Sequence, residues 1–399
     1  MPASGSTRID QPYTASGPRP HVAVIGAGAI GLGIAWRLAA AGSPVEVFER
    51  GAAGHGASWA AAGMLAAGIE AEPGEAALYH LNRLSQRLWP GFAAALEAAS
   101  GMSIGYRDEG TLAVALTRDD VARLHFHYEY QRSLDIPLEW LSSAEARRRE
   151  PHLHSNLAAA VSSPLDHQVD NRRLVTALRR AFLAAGGTLF EHTPVDAVEL
   201  AGDRVVGIRV GDRSYPADVV VLAAGAWSRD IAGLPSAARP PVRPVKGQML
   251  ALRMNPEAPL LRHVLWTPKV YLVPRQDGRL IVGGTVEERG FDPSLTAGGV
   301  FALLEGAWRA MPTIEELPID EMWVGFRPGS RDDAPFLGPG EIEGLVYATG
   351  HHRNGILLTP VTADSIARYI LDGEVAEAIR PFAIARFAGA PKVAAKERA

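Results

Sequence analysis

The sequence predicts a mixed α/β fold, built as two domains through which the chain passes more than once. Three observations point there. The ordered part opens on an apolar strand, a glycine-rich turn and an alanine-rich helix at 21–41. The middle carries several short apolar or alternating segments, with Gln276-Asp277-Gly278 placed as a hairpin turn. The end returns to a strand followed by a helix.

In chain order, the pattern predicts strands at 21–26 and 44–49 around a helix at about 30–41. Helical spacing recurs near 75–99, 118–133 and 171–185. Strand patterns stand at 110–116, 188–193, 204–210 and 217–223. Antiparallel strands are expected at 243–252, 270–274 and 279–285, then a strand at 344–349 and a helix at about 359–372. Residues 1–20 are polar and rich in Pro, Ser and Gly, so a disordered lead-in is expected, and 390–399 reads as a loose tail. Val22–Trp36 carries no charge but is too short for the roughly 20 residues of a membrane-spanning helix. No membrane span and a cytoplasmic location are expected.

Composition narrows the function classes. The 399 residues carry a formal charge of −4, and the basic residues are scattered, which gives no footprint for nucleic acid. There is no cysteine, so disulfides, thiolate catalysis and cysteinyl cofactor links are excluded. No zinc-type ligand cluster and no serine nucleophile elbow is visible, so no metal is expected. His125 and His127 lie two apart in a helix, face different directions and are expected at the surface.

The glycines are the first placed feature. Gly26-Ala27-Gly28-Ala29-Ile30-Gly31 follows the first strand and opens the helix. Gly26 permits the tight turn, Gly28 leaves a pyrophosphate free to approach the backbone, and Gly31 lets the helix pack on the strand. The helix N-terminus offers N–H groups and a partial positive charge to phosphates. Glu49 ends the second strand eighteen residues after Gly31, where a carboxylate accepts ribose hydroxyls. This is a Rossmann-like dinucleotide signature, and by itself it does not distinguish NAD from FAD. A second small-residue segment, Gly56-Ala57-Ser58-Trp59-Ala60-Ala61-Ala62-Gly63-Met64, suits a longer ligand, with a flat helix-packing surface as the alternative.

These motifs resemble the FAD-dependent amine and amino-acid oxidoreductases, the family of D-amino-acid oxidase and sarcosine oxidase. The nearest likeness is to its glycine-oxidase branch of the thiamine-biosynthesis type. The resemblance covers about 21–375. It also rests on Glu191–Val195, Val219–Ser228, Pro244–Gln248, Val270–Arg275, Gly325-Phe326-Arg327-Pro328-Gly329 and Gly350–Leu358.

The resemblance implies an FAD-binding domain over 21–70, 150–235 and 325–375, interleaved with an antiparallel-sheet substrate domain over 71–149 and 236–324. It places FAD against Ala29, Ile30, Glu49 and Arg50, with Ala57 and Ser58 near the pyrophosphate. Ala62, Gly63 and Met64 run beside the isoalloxazine, and Val195 holds the adenine side. Gly225 lets backbone approach the dinucleotide. The loop of His351, His352, Arg353, Asn354, Gly355, Ile356 and Leu357 wraps the pyrimidine end, through backbone rather than a metal. Arg327 matches the family's carboxylate-binding arginine, Tyr271 its partner hydroxyl, and Arg353 a second arginine at the edge of the substrate site. A guanidinium suits the first role because its fork matches a carboxylate. Arg327 is set apart from the many surface arginines by its place at the end of the apolar run Met322–Phe326.

Two departures stand out. Val286 occupies a pocket position that usually carries methionine, and Lys269 lies where another polar residue is common. Ala60 replaces the histidine that one branch of the family uses to attach flavin, so with no cysteine either, FAD is expected to be bound non-covalently. The implied activity is oxidation of glycine and related small amines such as sarcosine and D-alanine, with O₂ as acceptor. A dehydrogenase with a non-oxygen acceptor and a flavin-binding module without turnover remain the alternatives. Relatives suggest a homo-oligomer.

Overall fold

The computed structural model describes residues 19–387. The expected lead-in, apart from its last two residues, and the tail at 390–399 lie outside the described residues. Two sheets organise the rest. The first has six strands, in the order Phe336–Pro339, Leu345–Thr349, Val219–Leu222, Val22–Ile25, Val45–Phe48 and Thr188–Phe190. All pairs are parallel except the edge pair made by Phe336–Pro339. Its central strands are continuous apolar runs, as expected for a parallel sheet covered on both faces. Val22, Ala23 and Val24 are fully buried.

The helix Ala29–Ala40 packs on this sheet through Leu32, Ile34 and Leu38, each fully buried. Burial of such a side chain contributes roughly 1.5–3 kcal/mol relative to exposure. The turn that feeds it needs two glycines. Gly26 has φ +106°, and a Cβ at Gly31 would collide with the carbonyl oxygen of Gly26. The closing helix Thr359–Asp372 lies against Ala29–Ala40, where Gly33 meets Thr359 and Ala363. The βαβ opening and the βα return therefore build one body.

The second sheet has eight strands: Ile319–Gly329, Arg243–Arg253, Arg279–Gly283, Tyr271–Pro274, Val264–Trp266, Thr111–Ala115, Ala159–Ser163 and Glu139–Ser142. It is antiparallel except for the pair of Val264–Trp266 with Thr111–Ala115. The hairpin at 276–278 forms as read, with Gly278 at φ +89° and Pro274 opposite Leu280. A three-stranded sheet, Ala197–Ala201 with Arg204–Val210 and Arg213–Pro216, sits beside the first. A two-stranded pair joins Met64–Leu65 to His167–Gln168.

Two segments pack differently from the division drawn on the sequence. The helix Ala76–Ser100, placed there with the substrate domain, is in the core of the parallel-sheet body. Trp89 and Leu96 are fully buried, and Phe92 meets Trp36 edge-on at 5.6 Å. The strand Ala159–Ser163, placed with the dinucleotide domain, pairs with Thr111–Ala115 in the eight-stranded sheet. Apolar periodicity shows that an element is amphipathic but not which neighbour covers it.

Candidate active site

A cavity of about 870 Å³ runs between the two sheets. Every residue assigned above to the cofactor or the substrate lines it except Gly31, which serves helix packing as described above. One part of the cavity is formed by Gly26, Gly28, Ala29 and Ile30 at the helix N-terminus, together with Glu49, Arg50, Val195 and Gly225. Glu49 is fixed by the chain that it follows: Ala27 N donates to Oε2 at 2.9 Å and Gly51 N to Oε1 at 3.0 Å. Arg50 stacks on Trp227 with its guanidinium carbon 3.4 Å from the ring centre, and burial lowers its pKa against the pull of Glu49. Thr193 N donates to the carbonyl of Glu49, which carries the 191–195 segment to the rim and brings Val195 to the cavity.

The small-residue segment forms the middle. Ala57–Ala60 is a short helical turn pinned by two side chains through three hydrogen bonds. The Asn171 amide donates to the carbonyls of Ser58 and Trp59 at 2.8 and 2.9 Å, and Trp323 Nε1 donates to that of Ala60 at 3.0 Å. Ser58 Oγ accepts from Ala29 N at 2.9 Å, just where Gly28 offers no side chain. Gly63 lines the cavity and is crowded by the protein behind it: a Cβ there would run into the carbonyl of Val169 and the guanidinium of Arg275.

Arg275, at the end of the Val270–Arg275 motif, fastens the two bodies together. It is buried and donates to the carbonyls of Ala62 (2.6 Å) and Val169 (2.9 Å). It also reaches Gln168 Oε1 (3.1 Å) and Asn171 Oδ1 (2.9 Å). Burial lowers its pKa to about 10, with Asp170 opposing, so it stays charged at neutral pH.

Tyr271, Arg327, Arg353, Val286 and Met64 come together in the third part of the cavity, with Lys269 also on its wall. Arg327 lies opposite Val245 in the strand pair, and its Nη1 donates to the carbonyl of Thr285 at 3.0 Å. Gly247 and Gly284 make room for the guanidinium, since a Cβ at either would meet it. Gly284 brings the Tyr271 hydroxyl close to the same place. Burial raises the Tyr271 pKa, with Arg327 opposing, so the phenol keeps its proton and can donate it. Val286 is 72% exposed and stands at the cavity mouth, while Lys269 turns toward Glu305 at 3.4 Å.

The 351–357 loop is hung from the long helix, where Ser85 Oγ and Trp89 Nε1 both donate to the Leu357 carbonyl at 2.6 and 2.9 Å. Its two histidines diverge. His351 Nε2 meets Thr362 Oγ1 at 3.2 Å, and burial lowers its pKa to about 3. His352 points to Asp333 at 3.5 Å, and burial lowers its pKa to about 4 despite that carboxylate. Among the described residues no group of three or more His, Asp or Glu side chains forms a metal cluster. His125 is exposed and His127 partly covered.

Arg353 reaches Glu70 Oε2 at 3.0 Å and Glu75 Oε2 at 3.3 Å. Glu70 went unread in the sequence, although it lines this part of the cavity. The only signal was one acid in the run Leu65-Ala66-Ala67-Gly68-Ile69-Glu70-Ala71, which says nothing about burial.

The model of the FAD dependent oxidoreductase family, DAO, matches residues 21–369. The chain belongs to this family. It is 36% identical to the glycine oxidase of Geobacillus kaustophilus over 374 residues, which span 93% of this chain and 98% of that protein. The crystal structure of glycine oxidase from the same organism superposes with a TM-score of 0.85 at 35% identity, over 92% of this chain and 99% of that one. The bifunctional protein ThiO/ThiG of Synechocystis sp. is 39% identical over 373 residues. That match takes in 92% of this chain and 54% of the bifunctional protein, so the chain spans about half the length of that relative.

As a DAO-family member the protein is an FAD-dependent oxidoreductase. The cavity fits the cofactor: a helix N-terminus opens into it beside a side-chain-free Gly28, with the Glu49 carboxylate lining the same cavity. Among the described residues no helix is long and apolar enough to cross a membrane.

Proposed function

We propose that the protein oxidises glycine and related small amino acids and amines, sarcosine and D-alanine among them. The products are the imino acid and then glyoxylate or another 2-oxo acid, with ammonia or amine. The observation that carries this reading is Arg327 and Tyr271 converging in one part of a cavity whose other part bears the dinucleotide signature. Bound FAD would supply the hydride acceptor, with O₂ as the terminal oxidant and H₂O₂ as its product. Arg327 anchors the substrate carboxylate through its fork, and Tyr271 donates its hydroxyl to the same group. Holding the carboxylate fixes Cα, which is how such a site lowers the barrier with few reacting side chains. The N-terminus of Thr359–Asp372, just past the 351–357 loop, favours negative charge at that end of the cavity. The likeness to glycine oxidase and to ThiO/ThiG supports glycine as substrate and a role in thiamine biosynthesis.

The test is anaerobic mixing of the purified holoprotein with glycine, sarcosine and D-alanine. Bleaching of the flavin by at least one is the expected result, and bleaching by none overturns the reading. Re-admitting air decides the acceptor: stoichiometric peroxide supports an oxidase, and slow reoxidation without it supports a dehydrogenase.

The flavin is held without a covalent link in this proposal. Ala60 lines the cavity with a side chain that cannot form such a link, and the sequence has no cysteine. Acid precipitation is expected to leave all yellow colour in the supernatant; colour retained in the pellet would contradict it.

A further inference from the structure

Amino acids reach such a site as zwitterions, and an ammonium nitrogen has no lone pair to assist departure of hydride from Cα. One proton must leave the nitrogen first. On the reading that the substrate is a small amino acid, we propose that Glu70 is the group that receives it. Glu70 is therefore a catalytic residue, not only the partner of Arg353.

The geometry supports this in four ways. Glu70 lines the cavity alongside Arg327, Tyr271 and Arg353. Its side chain is only 10% exposed. Its Oε2 is buried without an aligned hydrogen bond, although Arg353 Nε stands 3.0 Å away, so the carboxyl is held by charge and not by a saturated set of donors. Its position is also fixed. Asp166, itself fully buried, accepts from Gly68 N (2.8 Å) and Ile69 N (2.6 Å), and is held by Ser163 Oγ (2.7 Å) and Gln86 Nε2 (2.8 Å). These bonds clamp the peptide immediately before Glu70.

The charges around Glu70 come from four elements. Arg353 on the 351–357 loop and Arg327 on the long strand favour the carboxylate. Asp166 and Glu75, from the segments before His167–Gln168 and before the long helix, disfavour it. Burial disfavours it most, and the pKa is raised to about 7. A base performs best when its pKa lies near the working pH. In the step itself an N–H bond of the ammonium breaks and an O–H bond forms on Glu70. The electron pair stays on nitrogen, and the proton returns to water after product leaves.

The experiment compares holoprotein of wild type, Glu70→Gln and Glu70→Asp. In wild type, kcat/KM for glycine is expected to fall below about pH 7 on a single ionisation. Glu70→Gln should lose that inflection and drop on the order of 10²–10⁴-fold at neutral pH. It should recover toward the pKa of the free ammonium group, where the amine arrives already deprotonated. Glu70→Asp should keep the inflection. A Glu70→Gln variant that retains the neutral inflection, or that loses the same factor at every pH, overturns the proposal.

A readout without turnover accompanies it. Infrared difference spectra between about pH 6 and pH 8 should show a protonated carboxyl that is missing in Glu70→Gln. Identical spectra would also overturn it. If no amine bleaches the wild-type flavin, the proposed substrate class falls, while the infrared titration still reports on Glu70.

Discussion

Replacing Arg327 with methionine should raise the KM for glycine on the order of 10²–10³-fold while changing kcat far less. Three features of the site set that size. The guanidinium is partly buried and shaped for one ligand, because Gly247 and Gly284 clear the space around it. One of its five donors is committed to the Thr285 carbonyl at 3.0 Å, which fixes the plane of the fork and leaves donors for the cavity. Methionine keeps the length of the side chain but leaves the substrate carboxylate without its counter-charge. Truncating one partner of a buried, hydrogen-bonded charge pair costs about 2–5 kcal/mol. At 1.4 kcal/mol per tenfold change, the middle of that range gives the stated factor.

The carboxylate keeps its charge as the Cα–H bond breaks, so most of its anchoring is shared by ground state and transition state, and most of the loss appears in KM. Arg327→Lys should fall between the two proteins, since it keeps the charge without the fork. Steady-state kinetics with glycine, with flavin content measured in each preparation, checks the series. A KM within threefold of wild type in Arg327→Met would place the carboxylate elsewhere.

The parts of this site legible from sequence are those in which backbone geometry demands a residue type. Gly26 and Gly31 could be read because a turn and a helix–strand contact leave room for nothing else. Arg327 could be read because a charge at the end of an apolar run needs a reason. Arg275 carries the same signal, a charge at the end of the apolar run Val270-Tyr271-Leu272-Val273-Pro274.

Glu70 is different in kind. Its burial is imposed by Asp166, almost a hundred residues away, and by a loop near the C-terminus, so nothing local announces it. Elements were lost for a similar reason. Ala297–Ala310 carries three glycines and weak helical propensity, yet it folds because Leu303, Ala307 and Ala310 are buried against the eight-stranded sheet body. Ala159–Ser163 shows no alternation because both faces of that strand are covered.

Arg275→Met should destabilise the protein by about 3–5 kcal/mol, since each buried acceptor left without a donor costs about 1–3 kcal/mol. The side chain fits a methionine sterically, so the loss comes from the acceptors left behind. The carbonyls of Ala62 and Val169, with Asn171 Oδ1 and Gln168 Oε1, lose their donors in a place water does not reach. The consequence extends to the cofactor. Asn171 holds the Ser58–Trp59 turn through its amide, and Arg275 holds the amide oxygen of Asn171 and the carbonyl of Ala62.

Releasing both loosens the 57–64 segment where it lines the cavity, so FAD affinity should fall together with stability. Thermal unfolding should show the apoprotein melting on the order of 5 °C or more below wild type. Fluorescence titration with FAD should show weaker binding at a temperature where both proteins are folded. Arg275→Lys should recover only part of either loss, because an ammonium has three donors on a flexible stem and cannot meet four acceptors held by a planar fork. Unchanged melting in Arg275→Met would mean that the two sheet bodies are joined by their remaining contacts alone. Unchanged FAD affinity with lowered melting would confine the role of Arg275 to the fold.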